Sequence, residues 1–364
     1  MNTLDILRRD VRRIVVILPC CLGDVVLGTA VLPLLRQHFP DATLTWAVNS
    51  HSAGILEHHP ALDDLLPTGD GALPFASLRD IPRFASVLRA GKFDLAISLV
   101  RSPRMTAAVA LSGIKHTAGL NSGWRGLAYR YRANVNPNQP EHEMRIYLRV
   151  LTAMGINVPA DTLPPPPLRP EDAQVIFRDD VQPLLRKFEG EPYIVVHPGG
   201  GQNPGANMFS KRYPIDHLSN LLLSLGQATN IACFVIIGGE HERAMSLNFA
   251  LILKTKAPFN ANVANLTHML SFPQLAALMA HSARYIGNDT GLTHYAAAVG
   301  APTVMIMGPT DPRRYAPQGK QAMAVYRPTS WLSQGVSAGI PKGWTWHKEG
   351  ITPDEALQQI LGQA

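Results

Sequence analysis

The chain has 364 residues, 46% of them apolar and 16% charged, with a net charge of +6 and a pI of about 9.3. That length exceeds one ordinary core and suits two domains, and the composition excludes a disordered chain. The mild basic excess fits an anionic substrate or an anionic surface, whereas no Lys/Arg run interleaved with aromatics marks a nucleic-acid site, so no nucleic-acid partner is expected.

Three cysteines, Cys20, Cys21 and Cys233, show no zinc-type spacing, and neighbouring Cys20 and Cys21 are poorly placed to pair with each other. A reducing compartment fits. The opening MNTLDILRRDVRR lacks the apolar centre of a secretory leader. No apolar run approaches the roughly 18 residues of a membrane span, so a cytoplasmic protein is expected.

In chain order, RIVVIL (13–18) reads as a buried strand, followed by a Gly-containing loop, a helical pattern from about Asp24 to His38, and the strand TLTWAV (43–48). Such a β-loop-α-β unit belongs to parallel α/β folds. FDLAISLV (93–100) is another buried strand, followed by a small-residue helix, MTAAVALSG. Residues 141–155 form an amphipathic helix with Met144, Tyr147, Leu148 and Leu151 on its apolar face. Residues 158–170 carry six prolines and make a semi-rigid spacer. The domain boundary is placed there, giving domains 1–160 and 161–345 and a C-terminal helical segment, 346–364. Beyond it, YIVVHPGGG (193–201), CFVIIGG (233–239), RYIGNDTG (284–291) and PTVMIMGPTDP (302–312) each run from a strand into a Gly or polar turn. A doubly wound sheet presents such turns at its ligand-binding edge. The last helix starts at Thr352 and Pro353, both at cap positions.

No GxGxxG follows a strand and no GxxxxGK[ST] occurs, which argues against a dinucleotide dehydrogenase and a P-loop NTPase. Asp24, in Leu22-Gly23-Asp24-Val25-Val26, sits where a strand meets a helix. It can be a helix cap or a general base facing a cleft between the domains. Asp289, Thr290, Gly291 and His294 form a polar turn opening a helix, where free backbone N–H groups favour phosphate; an Asx-type turn is the alternative. Lys211, in SKRYP, is either a solvated charge or a cation over a pyrophosphate. Glu242, just past Gly238-Gly239, is either a cap or a ribose acceptor by analogy with dinucleotide sites. Between Asp94 and Glu141 there is no acidic residue but six basic ones, including Arg101 and Arg104. That stretch suits an anionic acceptor or a membrane-facing surface.

Together, LGDVVLGTAVLPLLRQHFPDATLTW and the ordered series HPG, KRYP, IGG-x-HE and GNDTGLTHYAAAVGAPTVMIMGPTDP resemble glycosyltransferase family 9, the lipopolysaccharide heptosyltransferases. The resemblance spans nearly the whole chain. It implies a GT-B fold, α/β with two Rossmann-like domains facing across a cleft. It implies inverting transfer of a sugar, heptose by family majority, from a nucleoside-diphosphate donor such as ADP-heptose to a lipopolysaccharide core or related cell-surface glycan. Neither a metal nor another cofactor is required on that reading. It further implies Asp24 as catalytic base, Lys211 at the donor phosphates, Glu242 at the ribose, and Asp289, Thr290, Gly291 and His294 in the donor motif. Arg101 and Arg104 are expected at the acceptor. The partners are then a nucleotide-sugar donor and an anionic glycolipid or oligosaccharide acceptor, with room for peripheral contact at the inner membrane face. The Cys20–Cys21 pair and the stretch 331–350 depart from the family pattern. The alternatives are a sugar-nucleotide epimerase of GT-B fold, which needs no acceptor, and a non-catalytic nucleotide- or glycan-binding protein.

Overall fold

Short apolar runs alternate with amphipathic stretches along the chain, and the two patterns become parallel strands and the helices that cover them. The structure is a computed structural model and describes residues 3–136, 139–204, 206–257, 261–328 and 343–362. The chain divides into two compact units: Met1–Pro167 with Asn203–Gly205, and Leu168–Gln202 with Ala206–Ala364.

The first unit holds β1 (Arg13–Ile17), β2 (Thr43–Val48), β3 (Asp64–Pro67), β4 (Leu95–Ser98), β5 (His116–Ser122) and β6 (Tyr131–Val135). They form one parallel sheet in the order β3-β2-β1-β4-β5-β6. Val15, Ile17, Ala47 and Ala96 pack into one core with Phe84, Leu88, Met105 and Val109 from the helices Asp80–Ala90 and Pro103–Ser112. Strand order reverses between β1 and β4, where Ile17 pairs with Ser98. The loops leaving the carboxyl ends of these two strands therefore diverge and open a crevice.

The second unit repeats the plan. Its sheet strands are β7 (Tyr193–His197), β10 (Cys233–Ile236), β11 (Asn262–Asn265), β12 (Arg284–Asn288), β13 (Thr303–Ile306) and β14 (Ala322–Val325); between β7 and β10 in the chain, β8 (Gln202–Asn203) and β9 (Ala206–Asn207) form a separate two-residue ladder. The sheet order is β11-β10-β7-β12-β13-β14, again all parallel. The reversal lies between β7 and β12, where Gly287 pairs with His197. The helix Ile215–Thr229 buries Leu218, Leu221, Leu222 and Leu225 against β7 and β10, and the helix Pro353–Leu361 adds Ala356 and Ile360 to the same core. Thr352 caps that last helix, accepting from the Glu355 amide.

Three local expectations are corrected. The pattern from Asp24 to His38 is two helices, Leu22–Gly28 and Val31–His38. They break after Thr29, whose hydroxyl donates to the Val26 carbonyl at 2.6 Å. Asp24 is not the N-cap: Cys21 is, and Asp24 takes the third helical position. Cys20 and Cys21 are joined as a disulfide across a cis peptide bond, which brings their Cα atoms to 3.0 Å. Of the departing stretch 331–350, residues 331–342 lie outside the described residues.

Candidate active site

In the first unit, Asp24 stands at the carboxyl edge of the sheet, in the first turn of the helix that follows β1. The helix Glu143–Ala153 packs against its helix. Tyr147 on that helix donates its hydroxyl to Asp24 Oδ1 at 2.8 Å. One turn earlier, Glu143 is 1% exposed and accepts from Arg101 Nη2 at 2.7 Å. Asp24 is only half-buried by accessible surface, yet the surrounding low-dielectric protein raises its pKa. Burial is the largest cause and the Glu143 carboxylate the next. The hydrogen bonds from Tyr147 and the Cys21 backbone, and the Arg101 charge, oppose that rise. An aspartate raised in this way is a better proton acceptor than a free one.

Arg101 is thus paired with Glu143 through one guanidinium nitrogen, with its side chain still partly exposed. Arg104, one residue into the helix Pro103–Ser112, is exposed. The structure brings Asp24 and Arg101 to one crevice because they follow β1 and β4, the two strands at the reversal.

In the second unit, four strand ends supply the site: 197–201 after β7, 238–242 after β10, 289–294 after β12 and 308–311 after β13. Lys211 Nζ lies 2.8 Å from Asp289 Oδ2, and Thr310 donates to the same oxygen at 2.6 Å. His294 Nε2 lies 4.0 Å from Asp289 Oδ1. Burial alone would raise the Asp289 pKa, but Lys211, His294 and the hydrogen bonds from Lys211 and Thr310 hold it below the ordinary value. Thr290 is the N-cap of the helix Gly291–Ala298, and its hydroxyl lies 3.4 Å from His197 Nδ1 and from Thr293 Oγ1.

Glu242 realises the capping alternative and adds to it. One carboxylate oxygen accepts from the Gly200 amide; the other accepts from the Gly239 amide at 2.8 Å and meets His197 Nε2 at 3.0 Å. Burial works to raise its pKa, but His197 and the two backbone amides outweigh it and bring it down to about 2. The HPGGG glycines follow from this anchor. A Cβ on Gly199 would enter the Glu242 carboxylate, and one on Gly200, at φ +95°, would enter the Thr290 side chain.

Sequence reasoning missed the residues that hold these groups in place. Asn288, 1% exposed, donates to the Pro198 and Gly199 carbonyls at 3.0 and 2.9 Å and accepts from the Tyr213 amide at 2.9 Å. It thereby ties the HPGGG loop to the segment carrying Lys211. Arg212, beside Lys211, donates to the Gly200 carbonyl at 2.8 Å. Trp346 Nε1 donates to the Ser210 carbonyl at 2.8 Å, and Tyr213 to the Ile351 carbonyl at 3.0 Å. A polar residue closing an apolar strand was the available signal for His197 and Asn288; nothing in the sequence marked Tyr147 as more than core.

Among the described residues, no group of three His, Cys, Asp or Glu side chains is placed to hold a metal ion. No helix among them is long and apolar enough to cross a membrane.

The family model described as glycosyltransferase family 9 (heptosyltransferase) matches residues 81–339. The chain belongs to glycosyltransferase family 9. Within that family it is similar to the lipopolysaccharide heptosyltransferase 2 of Escherichia coli K12, 25% identical over 359 residues covering 96% of this chain and 97% of the relative. It is also similar to the lipooligosaccharide heptosyltransferase 2 of Haemophilus ducreyi, 24% identical over 366 residues, 96% and 98% of the two chains. Two solved structures share the fold. The family 9 glycosyl transferase of Veillonella parvula superposes with a TM-score of 0.71 at 21% identity, over 98% of this chain and 99% of the other. The E. coli ADP-heptose lps heptosyltransferase II gives 0.69 at 20% identity, over 96% and 98%. The family 9 chain is therefore an α/β glycosyltransferase of the GT-B fold class.

Proposed function

We propose that this chain transfers a heptosyl group from ADP-heptose to a lipopolysaccharide core or a related cell-surface glycan, with inversion at the anomeric carbon. The observation that carries this reading is the charge contrast between the two units in a family 9 chain. One sheet edge holds a carboxylate whose surroundings favour taking up a proton, and the other holds a cation-backed polar turn at a helix start. The names of the similar proteins support heptose, ADP and lipopolysaccharide as the substrates.

In this mechanism Asp24 accepts the proton of the acceptor hydroxyl as that oxygen attacks the anomeric carbon. The bond to the departing diphosphate breaks on the opposite face. Lys211, which leans on Asp289 in the free protein, and the amides at Thr290 and Gly291 receive the charge that develops on the diphosphate, the electrostatic contribution expected to dominate. Those groups make a divalent cation unnecessary on this reading. His294 and Asp289 lie beside the sugar, and Glu242, with three of its acceptor positions already used, offers the remainder to the ribose. Arg104 and its basic neighbours suit an anionic acceptor or the inner membrane face, and a cytoplasmic setting fits ADP-sugar chemistry.

The test is direct. Purified protein with ADP-heptose and a deacylated lipopolysaccharide core oligosaccharide should release ADP, extend the oligosaccharide by one heptose of inverted anomeric configuration, and continue in EDTA. Consumption of ADP-heptose at equal rate without the oligosaccharide would overturn the reading in favour of a hydrolase or epimerase. Activity lost in EDTA and restored by magnesium would overturn its metal independence.

A further inference from the structure

Glu143 and Tyr147 lie four residues apart on one helix and so present their side chains on one face. Both are buried, at 1% and 3% exposure, and both are ionisable, which is unusual for a helix face packed against another helix. The Tyr147 hydroxyl reaches Asp24 Oδ1 at 2.8 Å, and the Glu143 carboxylate is held by Arg101 at 2.7 Å. A packing role alone would be served by Phe and Leu, with no polar atom to satisfy.

We propose that Tyr147, Glu143 and Arg101 are positioning residues for Asp24: the Tyr147 hydroxyl fixes the orientation of its carboxylate, while Glu143, restrained by Arg101, sets the local charge that governs how readily it takes a proton. This rests on the reading of Asp24 as proton acceptor. It reassigns Arg101 from the acceptor to the base.

The set works by opposition. Tyr147 donates to the ionised carboxylate and favours it, and burial together with the nearby carboxylates keeps the phenol itself protonated. Glu143 is a like charge and disfavours the ionised form, and Arg101 moderates Glu143 by pairing with it. Of the titratable groups on the other elements packed against this helix, Arg36 pairs with Asp63, His38 meets the Leu34 carbonyl, His116 lies beside Asp10 and Tyr131, and Arg132 donates to the Leu127 carbonyl. His51 on the packed helix Ser50–Ala53 is exposed, and so is Arg104 beyond β4. Arg145 and Arg149, on the same helix as Tyr147, are engaged with the Pro159 and Ala160 carbonyls and with Glu141. Cys20 and Cys21 are bonded to each other and do not titrate.

Two isosteric variants separate this from a structural role. Tyr147→Phe removes the donor to the carboxylate, and Glu143→Gln removes the like charge while keeping an oxygen for Arg101. With 13C-labelled aspartate, the Asp24 carboxyl resonance, assigned by its loss in Asp24→Asn, is titrated in each protein. The pH profile of kcat/KM is recorded with ADP-heptose and core oligosaccharide. The carboxyl midpoint should move to higher pH in Tyr147→Phe and to lower pH in Glu143→Gln. The acid limb of kcat/KM should follow in each case, and the plateau rate should stay within about tenfold of wild type, the scale of one hydrogen bond. Each variant is judged by its own sign, so either one decides if the other does not fold. An unchanged midpoint, or movement in the same direction in both, overturns the proposal. Opposed midpoints with an acid limb that does not follow would leave the positioning set standing and overturn Asp24 as the proton acceptor.

Discussion

The two units have the same sheet, strand for strand, and treat a carboxylate in opposite ways. In each, the critical acid follows a strand at the reversal of strand order: Asp24 after β1, Asp289 after β12. Burial acts on both in the same direction. At Asp24 a like-charged glutamate nearby adds to burial, the Tyr147 hydrogen bond does not offset them, and the pKa rises. Asp289 has Lys211, Thr310 and His294, and its pKa falls. Glu242, with His197 and two backbone amides, falls as well, to about 2. The scaffold fixes where each acid sits, and the side chains packed around it, from a helix at Asp24 and from strand ends at Asp289, decide which way its pKa moves.

The contrast breaks most severely at Asp24. Asp24→Asn keeps the size of the side chain and its place in the first helical turn but cannot take a proton. Turnover should drop by roughly 10²–10⁴-fold, with ADP binding by calorimetry and melting temperature close to wild type. Turnover within a few-fold of wild type would remove the asymmetry between the units as an explanation of catalysis.

In the second unit the corresponding change is Lys211→Met, which leaves Asp289 buried without its cation. Removing one partner of such a pair costs about 3–5 kcal/mol, and ADP affinity should fall as well. The sign with pH follows from the lowered Asp289 pKa. The stabilisation is present above the ordinary aspartate range and is lost as pH falls and the carboxyl protonates. Wild type and variant should therefore converge in thermal unfolding as the pH is lowered. A gap that is constant with pH would mean that Lys211 contributes by packing alone.

A smaller effect is expected at the Glu242 anchor. A fall from 4.5 to about 2 corresponds to stabilisation on the order of 3 kcal/mol at neutral pH. It is fully present above the unfolded glutamate value and disappears as pH falls through the folded one. Glu242→Gln should lower the melting temperature at pH 7 and have much less effect near pH 3. Equal losses at both pH values would show that its hydrogen-bonding shape, not its charge, holds the HPGGG loop.

Much of this architecture was legible because seven of the twelve sheet strands are apolar runs that end in Gly or polar turns. The others lacked that signature. β5, His116–Ser122, is buried along its whole length yet contains His116, Thr117, Asn121 and Ser122. Asn121 is paired sideways with Asn134 and the Gly126 amide, and His116 Nδ1 meets the Tyr131 hydroxyl, contacts that no local pattern encodes. Asp24, Lys211, Glu242 and the 289–294 turn were legible as motif residues, but their charge states were not. Those depend on Tyr147, 123 positions from Asp24, and on Thr310, 21 positions from Asp289. Arg101 illustrates the same gap: a basic residue in an acid-free stretch reads as solvated or substrate-facing until Glu143, 42 positions away, is seen beside it.

The segment carrying Lys211 is fastened from far along the chain. Trp346 reaches back 136 positions to the Ser210 carbonyl, and the Tyr213 hydroxyl reaches forward 138 positions to the Ile351 carbonyl. During synthesis the lysine emerges long before the tryptophan and isoleucine that fix it. A nascent chain can complete the sheet of its first unit while the segment carrying Lys211 still lacks its tether. The hydrogen bonding of the Lys211 segment is therefore complete only once residue 351 has been made, so the two units reach their final local structure at different points of synthesis.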